Sequence, residues 1–339
     1  MIEVLKAKPL TLVQDLGRQD ARKWGVGTAG AMDPLALQAG NLMLGNMGSE
    51  AALEVSMFPL HLRFLQDTNI AVTGADCSAR LNGALLPEWW AITANAGQEL
   101  VLHAPRERSR SRAYVCVEGG IEVPIVLGSR STQLRGEIGG YEGRMVRAGD
   151  RLPIAGGDAA TIDFGIVPAN EIAALRCEPN PKGADVAVRV LTAGEYELFA
   201  RESRNDFWEQ SWRISAQSNR AGYRLEGRSL KFDQYVEMNS YPVVPGLIQV
   251  PPAGAPIVQM MDANVSGGYP KLGVVIGPDL WKLGQVGLGS TVRFLQCTHD
   301  TAVRARRVVA NYLENVTKVR EQAAALAAAN QKAPGRRRC

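Results

Sequence analysis

Apolar stretches in this chain are short, and glycine or proline repeatedly interrupts them. Among its 339 residues are 35 glycines and 18 prolines, and patterns long enough for extended helices are sparse. A chain punctuated in this way is expected to fold into short strands joined by many turns. Its length allows two hydrophobic cores. A hydrophobic share of 46% and a charged share of 21% are those of an ordinary soluble protein. No apolar run approaches the roughly 20 residues that cross a bilayer. The opening Met1-Ile2-Glu3-Val4-Leu5-Lys6-Ala7 lacks the basic-then-apolar order of a signal peptide and reads as a first strand.

Composition also narrows the chemistry. The five cysteines, Cys77, Cys116, Cys177, Cys297 and Cys339, form no C-x-x-C pair and are odd in number, which suits reduced thiols in the cytoplasm. The three histidines, His61, His103 and His299, are far apart and form no H-E-x-x-H, so no metal site is expected. Acid–base work falls to Asp, Glu, Tyr or Lys. The net charge of +4 owes part of its excess to Arg336-Arg337-Arg338 and to Arg106-Glu107-Arg108-Ser109-Arg110-Ser111-Arg112. Neither cluster has the interleaved aromatics that stack bases, so both read as solvated surface, with no nucleic-acid or membrane partner.

The pattern predicts a mainly β fold of two β-rich units. In the first, residues 4–13, 60–65, 69–72 and 98–102 have strand-like spacing, and Leu81-Asn82-Gly83-Ala84 carries the Asn-Gly pair of a tight hairpin. One helix is well signalled. Asp33 caps it, Pro34 takes its first position, Leu35, Ala39, Leu42 and Met43 line one face, and Gly45 or Asn46 ends it. Turn formers at 158–161 and 178–183 place a boundary near residue 180, giving a first unit of 1–180. The second, 181–299, opens with the strand Val186-Ala187-Val188-Arg189-Val190-Leu191. A short helix at 195–209 and strands at 212–216, 247–250, 257–261, 272–276 and 291–295 follow. A helix over 300–330 and a disordered tail over 331–339 complete the chain.

Several phrases carry candidate chemistry. Gly25-Val26-Gly27-Thr28-Ala29-Gly30 matches the dinucleotide fingerprint in letters only. No buried strand precedes it, and the helix starts later, at Asp33. There is no P-loop. Gln14, Asp15 and Arg18 lie where a strand ends, and an Asp15–Arg18 ion pair holding a turn is an equal reading. Cys77 has no nearby histidine and reads as structural. Leu127-Gly128-Ser129-Arg130-Ser131-Thr132 with Arg135, and Gln217-Ser218-Asn219-Arg220, put arginines in Gly/Ser-rich loops of both units. Such loops suit capture of a carboxylate or phosphate. Gln249, Asp262 and Ser266-Gly267-Gly268-Tyr269-Pro270-Lys271 form the densest group. There the glycine backbone and Lys271 could polarise a carbonyl, and Asp262 could orient a substrate nitrogen or act as base.

Taken together, Gln14-Asp15-Leu16-Gly17-Arg18, Gly30-Ala31-Met32-Asp33, Gly74-Ala75-Asp76, Gly119-Gly120-Ile121, the 127–132 phrase, Gln217-Ser218-Asn219-Arg220, Gln249-Val250-Pro251-Pro252 and Gly267-Gly268-Tyr269-Pro270 resemble the family called allophanate hydrolase subunit 2. That family is also known as the C subunit of 5-oxoprolinase, or the biotin-dependent carboxyltransferase family. The phrases keep family order over about residues 1–297. The resemblance implies a cytoplasmic protein with a cyclophilin-like β-barrel that shares a cleft with a subunit-1-type partner. It implies action on a small amide or lactam, foremost ATP-dependent opening of 5-oxoproline with a third, lactam-opening subunit. Carboxyl transfer from biotin to a urea-like nitrogen is the alternative, and a regulatory module without catalysis is a third reading. The residues expected to be catalytic are Asp262, Tyr269 and Lys271. Those expected to bind substrate are Gln14, Asp15, Arg18, Arg130, Ser131, Arg135, Ser218, Arg220, Gln249, Ser266, Gly267 and Gly268. The chain departs from the family pattern at Ala263 and Asn264, where arginine and glutamine are usual, and in Asn239-Ser240-Tyr241-Pro242. With no Met-Lys-Met attachment sequence, biotin could serve only in trans. ATP would be used by the complex at a site the sequence does not locate.

Overall fold

The computed structural model describes residues 1–107, 110–156, 160–176, 184–234 and 236–332, with side chains as far as residue 329. The first unit is a sandwich of two six-stranded sheets. Their facing sides share one core, with Ile2, Val4, Leu60, Leu62 and Leu100 from one sheet against Leu53, Val55, Ile70, Val72 and Val115 from the other. The strand Thr68–Gly74 is buried at every residue, because its sheet is covered on both sides. Ile70 and Val72 fill the sandwich core, whereas Ala71, with Ala52 and Ala91, meets a helical layer. Small residues on that face let a helix lie close.

The helices are α1 (Pro34–Met43), α2 (Arg201–Glu209), α3 (Leu280–Gln285) and α4 (His299–Lys332). Helix α1 begins as the sequence dictates: the Asp33 side chain accepts from the Ala36 backbone N–H at 2.8 Å, and Pro34 follows. It packs on the sheet and is covered in turn by α4, which buries Tyr312 and Val316 in this layer.

The second unit is a closed seven-stranded barrel. Thr291–Gln296 returns beside Val186–Thr192 in parallel, with Val188 opposite Phe294, and so closes it. Val188, Ile248, Val258, Leu272 and Phe294 belong to its core, and α2 seals one side by stacking Phe207 on Phe294 with ring centroids 4.9 Å apart.

The structure corrects several sequence expectations. Residues 4–13 are not one strand: Ile2–Lys6 and Thr11–Gln14 enter different sheets. Between them Pro9 lacks the N–H a ladder needs, and Leu10 takes φ 59°. The segment 195–209 divides into a single turn at Tyr196–Leu198 and then α2. Helix α4 runs through Lys332, so residues 331 and 332 are helical; the rest of the expected tail lies outside the described residues. So do the turn formers at 178–183, where the unit boundary was expected.

The two units meet along α3. A Cβ on Gly284 would lie 2.5 Å from the Met32 carbonyl carbon, and closer still to its oxygen. Only glycine allows the barrel's α3 to rest on the Met32–Asp33 backbone. The neighbouring Gln285 Nε2 donates to Asp33 Oδ2 at 2.8 Å and to the Arg112 carbonyl at 3.0 Å.

Candidate functional site between the two units

The strand Ala52–Val55 has Leu53 and Val55 directed into the sandwich core, so Glu54, between them, is directed to the opposite face. There it is fully buried. Its Oε2 accepts from the Met32 N–H and from the Tyr114 hydroxyl, both at 2.7 Å, and its Oε1 takes Arg220 Nη1 from the barrel. Arg220 Nε and Nη2 reach Asp262 at 2.9 and 3.0 Å, and Nη2 also donates to the Gly30 carbonyl at 2.6 Å. Burial by itself lowers a guanidinium's proton affinity. Asp262 and Glu54 reverse that effect and raise it. One arginine thus joins a carboxylate of each unit.

Above this group opens a cleft of about 570 Å³, with walls from both units. Ser218, Arg220, Tyr223 and Asp262 of the barrel face Arg112 and Arg135 of the sandwich, and Leu10, Met57 and Leu288 make part of its rim apolar. A second lobe of about 550 Å³ meets it at Gln133, Arg135, Asp262 and Asn264, and extends to Gly27 and Ser266. Arg135 Nη1 bridges the lobes by donating to Asn264 Oδ1 at 2.6 Å. A smaller cavity of about 290 Å³ lies between the units near Asp33, Trp89 and Trp281. Arg110 on its wall pairs with Glu88 at 2.6 Å, and Lys282 with Asp279 at 2.8 Å. The larger cleft is the better reaction chamber because it gathers predicted residues from both units.

The residues singled out from sequence fall into three groups. Ser218, Arg220, Asp262, Arg135 and Ser266 line the cleft or its second lobe. Gln14, Asp15, Arg18, Arg130 and Ser131 instead build a bracket inside the sandwich. Asp15 Oδ1 accepts from the Gly17 N–H and from the hydroxyls of Ser129 and Ser131 at 2.5 to 2.7 Å, while Oδ2 accepts from the Arg130 N–H at 2.6 Å. Three donors saturate Oδ1 and leave one lone pair on Oδ2, so this 8%-exposed carboxylate is chiefly a loop bracket. Arg18, almost fully buried, donates to the Ser131 carbonyl, and burial lowers its proton affinity. It forms no ion pair with Asp15 among the described residues. Gln14 ties the Thr132 carbonyl to the Gly30 N–H. Arg130 Nε donates to the Val123 carbonyl. These residues shape the loop that carries Gln133 and Arg135 to the cleft.

The third group sits at the barrel edge. Lys271, opposite Gln249 in the ladder, is buried. Its Nζ donates to the Gly267 carbonyl at 2.9 Å and lies 3.1 Å from the centre of the Tyr241 ring, and burial lowers its proton affinity. Gly267 passes close to the Gln249 amide, and Gly268 passes close to Ser240; Tyr269 is 46% exposed. The expected trio Asp262, Tyr269 and Lys271 is therefore not assembled. Lys271 starts a strand whose register turns it under Tyr241, and only Asp262 lines the cleft.

A second correction concerns the arginines. The 106–112 cluster, read as solvated, is only partly so. Residues 108 and 109 lie outside the described residues, but Arg110 is held by two glutamates and Arg112 lies between the units. Arg112 Nη1 donates to the Gly284 carbonyl, and its backbone N–H reaches Gln285 Oε1 at 3.1 Å. Arg220, expected to hold a substrate anion, is committed to Glu54 and Asp262. Sequence reasoning missed Glu54, Arg112 and Tyr223. A lone acid inside the apolar Ala51-Ala52-Leu53-Glu54-Val55 was a usable signal, whereas Arg112 was hidden among other arginines. Cys77 and Cys116 are buried free thiols whose burial pushes their pKa up, to about 12 at Cys77, which suits structural roles.

Comparison with known proteins adds to this geometry. The profile of the family described as "Carboxyltransferase domain, subdomain A and B" matches residues 24–296. The C subunit of 5-oxoprolinase from Haemophilus influenzae is 40% identical over 319 residues, covering 94% of this chain and 98% of that protein. Its Escherichia coli counterpart is 39% identical over 316 residues, covering 93% and 97%. Among solved structures, the K. lactis urea amidolyase superposes with a TM-score of 0.81 at 28% identity over 93% of this chain. The chain spans only 20% of that much longer protein.

Proposed function

The chain belongs to the family of carboxyltransferase domains, subdomains A and B, and from that premise we propose that it is a subunit of an ATP-dependent 5-oxoprolinase. In this reading it binds a small lactam in the inter-unit cleft, works with a subunit-1-type partner and a third, lactam-opening subunit, and is inactive alone. The observation that carries the reading is 40% identity to the C subunit of a 5-oxoprolinase along 98% of that protein's length. Asp262, fixed by Arg220 with Ser218 nearby, is the group placed to accept a hydrogen bond from a substrate nitrogen. The cytoplasm is the compartment that fits buried free thiols such as Cys77 and Cys116.

ATP is assigned to the complex and not to the start of α1. The helix that follows the glycine-rich 25–30 stretch begins with the Asp33 carboxylate on its first turn, and a carboxylate there opposes a phosphate. Carboxyl transfer to a urea-like nitrogen is the second reading, supported by the likeness to urea amidolyase, and in it biotin would come from another protein.

The test is reconstitution. Co-purified with its partner subunits, the chain should support ATP-dependent conversion of 5-oxoproline to glutamate, and no turnover should occur without it. A complex that ignores lactams but carboxylates urea from supplied carboxybiotin would replace the first reading with the second. A complex with neither activity would leave the regulatory one.

A further inference from the structure

Two polar side chains in the cleft have hydrogen-bonding capacity that nothing among the described residues uses. Arg112 forms no ion pair there. Its Nη1 goes to the Gly284 carbonyl and, at 3.4 Å, to the Ser111 hydroxyl, while its buried Nε has no partner. Tyr223, 1% exposed on the barrel strand Gly222–Glu226, has a hydroxyl without a partner. Both residues line the same cleft, one from each unit. Buried polar groups are normally paired, and two orphaned donors that line one cleft from opposite units call for a partner such as water, an ion or a ligand.

We infer that Arg112 and Tyr223 form a carboxylate-recognition site that selects small organic acids for this cleft. The inference rests on the reading of the cleft as a substrate site and names the group that site would grip. A guanidinium has only donors, and its Nε edge matches the two oxygens of a carboxylate. The Tyr223 hydroxyl can donate to a remaining lone pair of the same group. Of the other arginines of the cleft, Arg220 is engaged by Glu54 and Asp262, whereas Arg135 is exposed and donates one N–H to the neutral Asn264 amide oxygen. Glu54 and Asp262 both bond Arg220, so Arg112, although it feels the Glu54 charge, has no carboxylate within ion-pair distance among the described residues. Leu10, Met57 and Leu288 on the rim suit the apolar ring of a cyclic acid. A urea-like molecule carries no carboxylate and would leave both donors unpaired, so the site discriminates against it.

The test uses the full-length chain and three probes measured by calorimetry: 5-oxoproline, cyclopentanecarboxylate (an acid without a lactam) and 2-pyrrolidinone (a lactam without an acid). The two acids are expected to bind at least tenfold more tightly than 2-pyrrolidinone. Tyr223→Phe should weaken both acids about tenfold, and Arg112→Gln about a hundredfold, as loss of hydrogen bonds to a charged group implies. Neither variant should alter 2-pyrrolidinone binding. Tyr223→Phe removes a hydroxyl that has no partner, so its melting temperature should not fall, which separates binding from folding. Acids that do not bind, acids held by Tyr223→Phe at full strength, or equal losses for acid and neutral probes would overturn the inference. Turnover of 5-oxoproline by a complex carrying Tyr223→Phe with unchanged KM would overturn it while leaving the proposed function standing. Acids bound through this pair in a complex that does not open 5-oxoproline would do the reverse.

Discussion

Asp33 shows how burial converts a helix cap into a titrating group. Its carboxylate is 1% exposed and bonded to the Ala36 N–H and to Gln285, with no cation bonded to it among the described residues. Burial pushes its pKa up from 3.8 to about 6; the hydrogen bonds from Ala36 and Gln285 oppose the shift, and Glu54 adds to it. Because the folded value exceeds the unfolded one, the native state holds the proton more tightly. The stability gained is complete below pH 3.8 and is lost as pH rises through about 6. Asparagine caps a helix as well as aspartate does but does not titrate there. Urea unfolding of the wild type and Asp33→Asn between pH 7 and pH 4 should therefore show the wild type gaining on the variant as pH falls. A constant difference would show that Asp33 does not titrate in this window. The cap itself was legible in Asp33-Pro34, but its buried surroundings were not, since Gln285 lies 252 positions away.

At the scale of elements, local chemistry was legible wherever it acts over a few residues. The Asn82-Gly83 pair does turn a hairpin between Arg80–Leu81 and Ala84–Leu85, with both residues at positive φ. Six of the seven barrel strands were readable from apolar or β-branched runs such as Val186 to Val190, but Gly222–Glu226, where arginine and glutamate alternate with the buried Tyr223 and Leu225, was not. What sequence did not convey was which strand enters which sheet, because pairing depends on partners far along the chain. Gly284 belongs to the same category. In sequence it is one glycine in a stretch where no helix was expected, and within α3 its absent side chain is a local cost. In the fold it is the point at which α3 touches the backbone of the other unit. Gly284→Ala would improve helix propensity and yet force a methyl into the Met32 carbonyl. The second effect wins because backbone cannot step aside. We expect a loss of about 1 to 3 kcal/mol, the usual scale of overpacking, read as a lowered urea midpoint. A stabilised variant would show that the two units do not meet here.

At the scale of the whole molecule, the sandwich and the barrel are bound through charge as well as shape. Glu54, Arg220 and Asp262 are an ionic group buried where the units meet, and it closes only when both are present. Arg220→Met would leave Glu54 buried without a cation, a loss of about 3 to 5 kcal/mol, measurable as a fall in unfolding midpoint. A variant as stable as the wild type would mean that Glu54 is protonated or solvated. Candidate site residues were named in part because the loops around Ser218 and Asp262 look unlike core. Glu54 and Tyr114 were passed over because alternation along a strand hides a polar residue that points at another layer.

The shared arginine also bears on how such chains can be recombined. A crossover anywhere between Glu54 and Arg220 unites an acid and a base of separate ancestry, whereas one beyond Asp262 keeps the three together. Hybrids of two relatives that both retain the trio can tolerate the first kind of junction. If either parent lacks one of its members, the offspring inherits a stranded ion at its centre, and that lineage is confined to exchanging its ends.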